Sequence, residues 1–231
     1  MDLAIQVCSY LFGLPLILLT IAAIFRSGPR SYPFAFAYVI ALFLATVAEL
    51  PTSLAYYARQ GRTPEAMVYL YWIDEAILQL LIFAVVISLI YSATAKLGSR
   101  RLVRLALIAG AVLFVGVSFL AHYSPKGVIG LWMNPWSRDL KFCAAILDVL
   151  LWALLVGSRN KDYRLLLLSG GMGVMFAGEA IGESIRQLAT TRRVHWMATS
   201  GGTLVIISDL LFLYIWWRAF RAVKNKAHVM A

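Results

Sequence analysis

Seven stretches of this chain are each apolar over the length of a membrane-spanning helix, and no other feature constrains its fold as strongly. They run at about 3–25, 32–58, 68–91, 102–122, 139–157, 163–188 and 196–218. A helix needs roughly 20 predominantly apolar residues to cross a hydrocarbon core about 30 Å thick. Composition agrees, with 61% of the 231 residues hydrophobic, 14% charged and a mean hydropathy of +0.79. Soluble domains run near 45–50% apolar and about 25% charged. The expected architecture is an all-α integral membrane protein, a seven-transmembrane-helix bundle forming one domain over 1–231 in the lipid bilayer. Connections are short, the 123–138 loop being the longest, so sequential helices are expected to pack antiparallel. Met1-Asp2-Leu3 lacks the basic region of a signal peptide, and the apolar run behind it is too long for one. It is expected to stay as a membrane helix.

The net charge of +10 is spread over many short loops, which argues for topology rather than nucleic-acid binding. Thirteen Lys and Arg residues fall on one side, in loops 26–31, 92–101 and 158–164 and in the C-terminal tail. Lys96, Arg159, Lys161, Lys224 and Lys226 are among them. Eight fall on the other, including Arg59, Arg62, Lys126, Arg186 and Arg193. Positively charged loops stay cytoplasmic, so the N-terminus is expected outside and the C-terminus inside, across a bacterial inner membrane. Trp132 and Trp136, and Trp216 with Trp217, are expected to anchor the two interfaces.

The apolar spans also carry acids: Glu49, Asp74, Glu75, Asp148, Glu179, Glu183 and Asp209. A charge at the bilayer centre costs at least about 2.5–3.5 kcal/mol, so such groups are protonated, paired or turned toward water. Five of them are expected in the outer half and Asp148 and Asp209 near the middle, which points to one polar cavity opening outward. Trp72, Glu75 and Gln79 share a helical face beside Tyr71, while Asp74 points about 100° away. Arg186 is one turn from Glu183 and suits an ion pair. Lys141 is expected to snorkel to the headgroups instead of reaching Asp148. Acids outnumber bases inside the spans, so several are expected to be protonated, hydrogen-bonded or bound to a cation. The segment Ser169–Arg186 adds five glycines to this polarity. Gly171, Gly178 and Gly182 line one stripe for close helix approach, and Met172, Met175, Glu179, Glu183 and Arg186 form an adjoining stripe expected to face the bundle interior.

Other chemistries have little support. His122, His195 and His228 show no metal-ligand spacing, so no metal or cofactor is expected. Cys8 and Cys143 read as two core thiols. No G-x-S-x-G is present, no histidine lies within a span to activate a serine, and Gly170-Gly171-Met172-Gly173 follows no strand. Helix 4 is apolar nearly all round and is the best candidate for lipid exposure. Pro15 marks a candidate kink in helix 1.

The layout resembles rhodopsins in topology alone, because helix 7 lacks the lysine that would carry retinal in the microbial ones. A more local likeness lies in Tyr32-Pro33-Phe34-Ala35-Phe36-Ala37-Tyr38, Tyr69-Leu70-Tyr71-Trp72-Ile73-Asp74-Glu75-Ala76 and Trp136-Ser137-Arg138-Asp139-Leu140-Lys141-Phe142. With these motifs the chain resembles a group of uncharacterised bacterial seven-helix membrane proteins. It is loosely similar to the seven-helix membrane sensor module at the N-terminus of some histidine kinases. That likeness implies sensing, but it assigns no ligand-binding residue. About ten residues follow Arg221, so a sensor of this form is expected to signal through a partner protein or another copy of itself.

Three functions follow from these features. The first is a standalone sensor or receptor-like bundle with an outward acidic cavity for a small ligand or proton. The second is a proton- or cation-coupled transporter or channel using Asp148 and Asp209 as relays. The third is a structural scaffold or subunit of a larger complex. An intramembrane enzyme has the least support.

Overall fold

The computed structural model describes residues 3–58, 65–94, 100–124, 129–157, 162–192 and 194–221. Seven long helices occur among them: α1 (Leu3–Ser27), α2 (Pro33–Ala58), α3 (Glu65–Ala93), α4 (Arg100–His122), α5 (Ile129–Gly157), α6 (Tyr163–Arg192) and α7 (His195–Arg221). Each contains an apolar span, the shortest of 18 residues in α4 and the longest of 27 in α6. At 1.5 Å per residue these reach about 27–40 Å, enough for a hydrocarbon core of about 30 Å. By length and composition all seven are able to cross a membrane, which suggests a multi-pass membrane protein. Arg59, Arg62, Lys96, Lys126, Arg159, Lys161, Arg193, Lys224, Lys226 and His228 lie outside the described residues.

Local chemistry sets several helix ends. Gly28 closes α1 with φ +95°, a left-handed conformation that favours glycine, and its carbonyl accepts the Ser31 N–H at 3.1 Å. A 3-10 turn over Pro29–Ser31 leads to Pro33, the first residue of α2, where the missing N–H would have had no helical partner anyway. Asp162 caps α6, its Oδ1 accepting the backbone N–H groups of Arg164 at 3.1 Å and Leu165 at 3.3 Å. Pro15 lies within an unbroken α1.

The helix α5 departs most from expectation. It starts at Ile129, ten residues before the expected 139, and runs through Pro135. The expected 123–138 loop is therefore largely helix. Packing is the reason: Met133, Trp136 and Leu140 fall on one helical face and form a buried cluster against Trp72, Ala76, Phe114 and Phe119. That burial outweighs the backbone hydrogen bond lost at Pro135.

The chain divides into two compact units, Met1–Ser31 with Trp152–Ala231, and Tyr32–Leu151. In the first unit α7 packs against both α6 and α1. The glycine stripe of α6 makes the closest approach. A Cβ at Gly178 would overlap the Ser208 side chain, one at Gly182 would lie 2.7 Å from Gly201 O, and one at Gly171 would lie 3.0 Å from Trp216 Cδ1. Small residues let two backbones meet where hydrocarbon gives no hydrophobic drive. Trp216 is fully buried and donates its Nε1–H to Leu168 O at 3.1 Å, locking α7 to α6. It is a core residue, not the expected interfacial anchor, because its indole N–H has found a protein partner. Its neighbour Trp217 is half-buried, with the Arg221 guanidinium 5.0 Å from its ring centroid. Thr20 of α1 shares its hydroxyl between Leu16 O at 2.8 Å and Leu213 O at 3.4 Å, tying α1 to α7.

In the second unit α2 packs along α3, and α4 and α5 meet through side chains. The span of α4 exposes Leu105, Ile108, Val112, Leu113, Val117 and Leu120 and buries little beyond Ser118. An apolar face this continuous suits lipid, as expected for helix 4. Trp136 belongs to the core as well: it is 6% exposed, with its ring centroid 5.6 Å from Phe119. Trp132 is half-buried against Phe119 and Tyr123.

Candidate functional site

The second unit gathers the polar side chains of α2, α3 and α5 at one end of their spans. Glu75, one turn into the α3 span, is the centre. Its Oε1 accepts from Gln79 Nε2 at 3.1 Å, from Ser137 Oγ at 3.1 Å and from Lys141 Nζ at 3.0 Å. Gln79 reaches it from one turn further along α3, as the shared helical face predicted. Ser137 and Lys141 reach it from successive turns of α5. One carboxylate oxygen with three donors is filled.

Glu49 stands near the end of the α2 span and is close enough to Asp74 and Glu75 to interact with both charges. The antiparallel pairing of α2 and α3 brings these residues together, because one span ends where the next begins. The cluster therefore sets Glu49, Asp74 and Glu75 beside Lys141. Fully ionised, it carries more negative than positive charge. Among the described residues of this unit, three buried polar atoms have no hydrogen-bond partner: Asp74 Oδ2, Gln79 Oε1 and Trp136 Nε1. Buried groups of this kind are normally satisfied, so each has capacity for a further donor or acceptor. Trp72 packs against the Trp136 cluster, and Tyr71 is exposed, its ring edge-on to Trp72 at 5.3 Å.

Lys141, expected to snorkel to the headgroups, is paired with Glu75. The signal available in the sequence was two polar pairs spaced i, i+4, Glu75 with Gln79 and Ser137 with Lys141, each close to the start of its span. Asp139 is a further acid within a span, because α5 begins early. Its Oδ2 accepts from Ser118 Oγ at 2.9 Å and lies 2.9 Å from His122 Nε2, joining α4 to α5. Ser118 and His122 are again an i, i+4 pair. Asp148 is 2% exposed, two turns beyond Lys141 on α5.

The remaining predicted residues belong to the first unit. Glu183 and Arg186 pair at 2.8 Å, as their spacing predicted, but both side chains are more than half exposed. The expected inward stripe therefore holds for Met172 and Met175, which are buried, and fails for Glu183 and Arg186. The buried side of this helix is taken by Gly178 and Gly182 against α7, which turns Glu183 outward by one helical step. Glu179 and Asp209 are half-buried. An exposed pair of this kind contributes at most about 1 kcal/mol.

Among the described residues no three His, Cys, Asp or Glu side chains converge as metal ligands. Both cysteines are free; Cys143 is half-buried, but Cys8 is exposed rather than in a core. It lines an apolar groove of about 310 Å³ between α1 and α7, and a second groove of about 440 Å³ adjoins it at Phe12 and Leu210. Both are lined almost wholly by hydrocarbon, which suits acyl chains. No protein-family model, curated protein or solved structure matches the chain.

Proposed function

We propose that this protein is a receptor-like membrane sensor that takes up a small cation, or a proton, at the carboxylate cluster of α2, α3 and α5. The observation that carries this reading is the imbalance at that cluster. Glu49, Asp74 and Glu75 lie close enough for their charges to repel, Lys141 pairs with Glu75 Oε1, and the buried Asp74 Oδ2 has no hydrogen-bond partner among the described residues. A cation settling there relieves repulsion among the acids and satisfies buried oxygens at once. The basic-residue count supports placing this end of the spans outside a bacterial inner membrane. Occupancy then passes to a signalling partner or a second copy of the chain.

The test is a thermal-shift survey of the purified protein against small cations and acid. At least one of these stabilises the wild type, and the shift disappears in the Glu49→Gln, Asp74→Asn double variant. If no cation and no change of pH moves the unfolding temperature, the reading fails.

One observation favours transport as a second reading. Asp148 lies on α5 beyond the cluster and is nearly fully buried, where a relay group would stand. Cation or proton flux into reconstituted vesicles, abolished by Asp148→Asn, would select it over sensing.

A further inference from the structure

The two apolar grooves between α1 and α7 form one continuous furrow, since Phe12 and Leu210 line both. Along α1 the furrow runs from Ile5 to Leu19, a rise of about 21 Å. One leaflet of hydrocarbon is about 15 Å deep, so the furrow is long enough for a lipid acyl chain. It faces outward: Phe12 is 62% exposed, and Leu19, Leu211 and Tyr214 are each close to half exposed. Early residues of α1 lie against early residues of α7 and late against late, so the two helices run parallel and their last turns share one end.

That end sets this face apart from the plain apolar face of α4. On α1, Phe12, Leu19 and Arg26 recur every seven residues and share one stripe; on α7, Ile207, Leu211, Tyr214 and Arg218 form another. Each apolar stripe thus runs into a guanidinium. Arg26 and Arg218 stand within one turn of the ends of their spans, and both are exposed. Neither pairs with a carboxylate among the described residues. Arg218 lies about 6 Å beyond Tyr214 along the helix axis, and Arg26 about 10 Å beyond Leu19. These intervals are of the order of the polar interfacial layer, about 5–7 Å on each side of a bilayer. Tyr214 and Trp217 pack there with ring centroids 5.8 Å apart, and the Arg221 guanidinium lies over Trp217. Aromatic rings beside arginines at a span end belong to headgroup depth.

We infer that the α1–α7 furrow binds one anionic phospholipid, its acyl chain laid past Phe12 and Leu210 and its phosphate held by Arg26 and Arg218. Hydrocarbon over the length of a leaflet followed by guanidinium at headgroup depth is the pattern of such a lipid read from tail to head. Arginine suits the phosphate because its planar fork donates two N–H bonds to two oxygens at once. A zwitterionic lipid brings an ammonium to the same place and cancels much of the attraction. A second copy of the chain fits less well. Two copies in one membrane are related by an axis along the bilayer normal, so residues at equal depth meet. Pairing through this furrow therefore sets the arginines of one copy against those of the other. The site lies in the first unit and does not depend on the carboxylate cluster of the second.

Full-length protein in detergent is incubated with equal amounts of phosphatidylglycerol and phosphatidylcholine carrying the same acyl chains, and native mass spectrometry counts the lipid retained. One phosphatidylglycerol per chain is expected, preferred about tenfold over phosphatidylcholine. The Arg26→Gln, Arg218→Gln double variant, changed only at exposed positions, loses that preference. Leu210→Trp, which fills the furrow where its two parts meet, lowers retention of the long-chain lipid. A short-chain phosphatidylglycerol, compared on the unaltered protein, is retained several-fold less than the long-chain form. Equal retention of the two long-chain lipids overturns the inference, as does a preference that survives the double variant. Equal retention of the short-chain lipid, or retention unmoved by Leu210→Trp, also overturns it, since a headgroup is then held without the furrow. A dimer that dissociates in Leu210→Trp assigns the furrow to a second copy and overturns it as well.

Discussion

Adding one methyl group at either of two glycines of α6 separates side-chain from backbone contact between α6 and α7. At Gly178 the obstacle to a Cβ is the Ser208 side chain, both its Oγ and its Cβ, with the Ser208 Cα 3.7 Å away. At Gly182 a side chain and the backbone both obstruct it, Val205 Cγ2 at 2.5 Å and Gly201 O at 2.7 Å. Overpacking of this kind costs about 1–3 kcal/mol, and alanine regains about 1 kcal/mol of helix propensity over glycine. With overlap this direct the high end applies, so Gly178→Ala is expected to destabilise by about 2 kcal/mol, a fall of roughly 4–8 °C in unfolding temperature. Ser208→Gly clears the obstacle, so the double variant should recover most of the loss, with a coupling energy near 2 kcal/mol in a double-mutant cycle. Gly182→Ala should cost as much, yet Val205→Ala should restore less than half, because no side-chain change moves a backbone carbonyl. Thermal unfolding in detergent, followed by circular dichroism, reads each term. Full rescue of Gly182→Ala by Val205→Ala, or a Gly178→Ala variant as stable as the wild type, would refute the close approach.

Two further variants probe the polar contacts. Lys141→Met strands Glu75 beside Glu49 and Asp74. With the pair 33% and 22% exposed, the cost falls between surface and buried cases, about 1–3 kcal/mol, and adding Glu75→Gln should restore part of it; thermal unfolding of the single and double variants checks both signs. Trp216→Phe removes the Nε1–Leu168 O bond and should cost about 1–2 kcal/mol, measured the same way, with hydrogen exchange rising first at the α6–α7 contact.

Much of the helical layout was legible because span length and hydropathy are set by the bilayer rather than by any neighbour. The α6 glycine stripe was legible for a similar reason, since a residue without a side chain in a membrane helix has few uses besides close packing. What escaped the sequence depended on partners in other helices. The α5 start was hidden because Pro135 and the polar run Ser137, Arg138, Asp139 and Lys141 look like a loop until Met133, Trp136 and Leu140 are seen packing as one face. Tryptophan is ambiguous by nature: an indole suits an interface or a core equally, and only the Leu168 carbonyl shows that Trp216 is internal. The site was half legible. Glu75, Gln79 and Asp74 were marked by their polarity inside a span, but Ser137, Lys141 and Trp136 were not, because their roles exist only across the α3–α5 seam.

The central claim is that the excess carboxylates of α2 and α3 take up a positively charged ligand. Titration calorimetry of the purified protein with the small cations of the thermal survey, at matched ionic strength, tests it most directly. The account predicts saturable binding at one site per chain, lost in the Glu49→Gln, Asp74→Asn double variant. Binding that survives the double variant, or no binding of any cation, would contradict it.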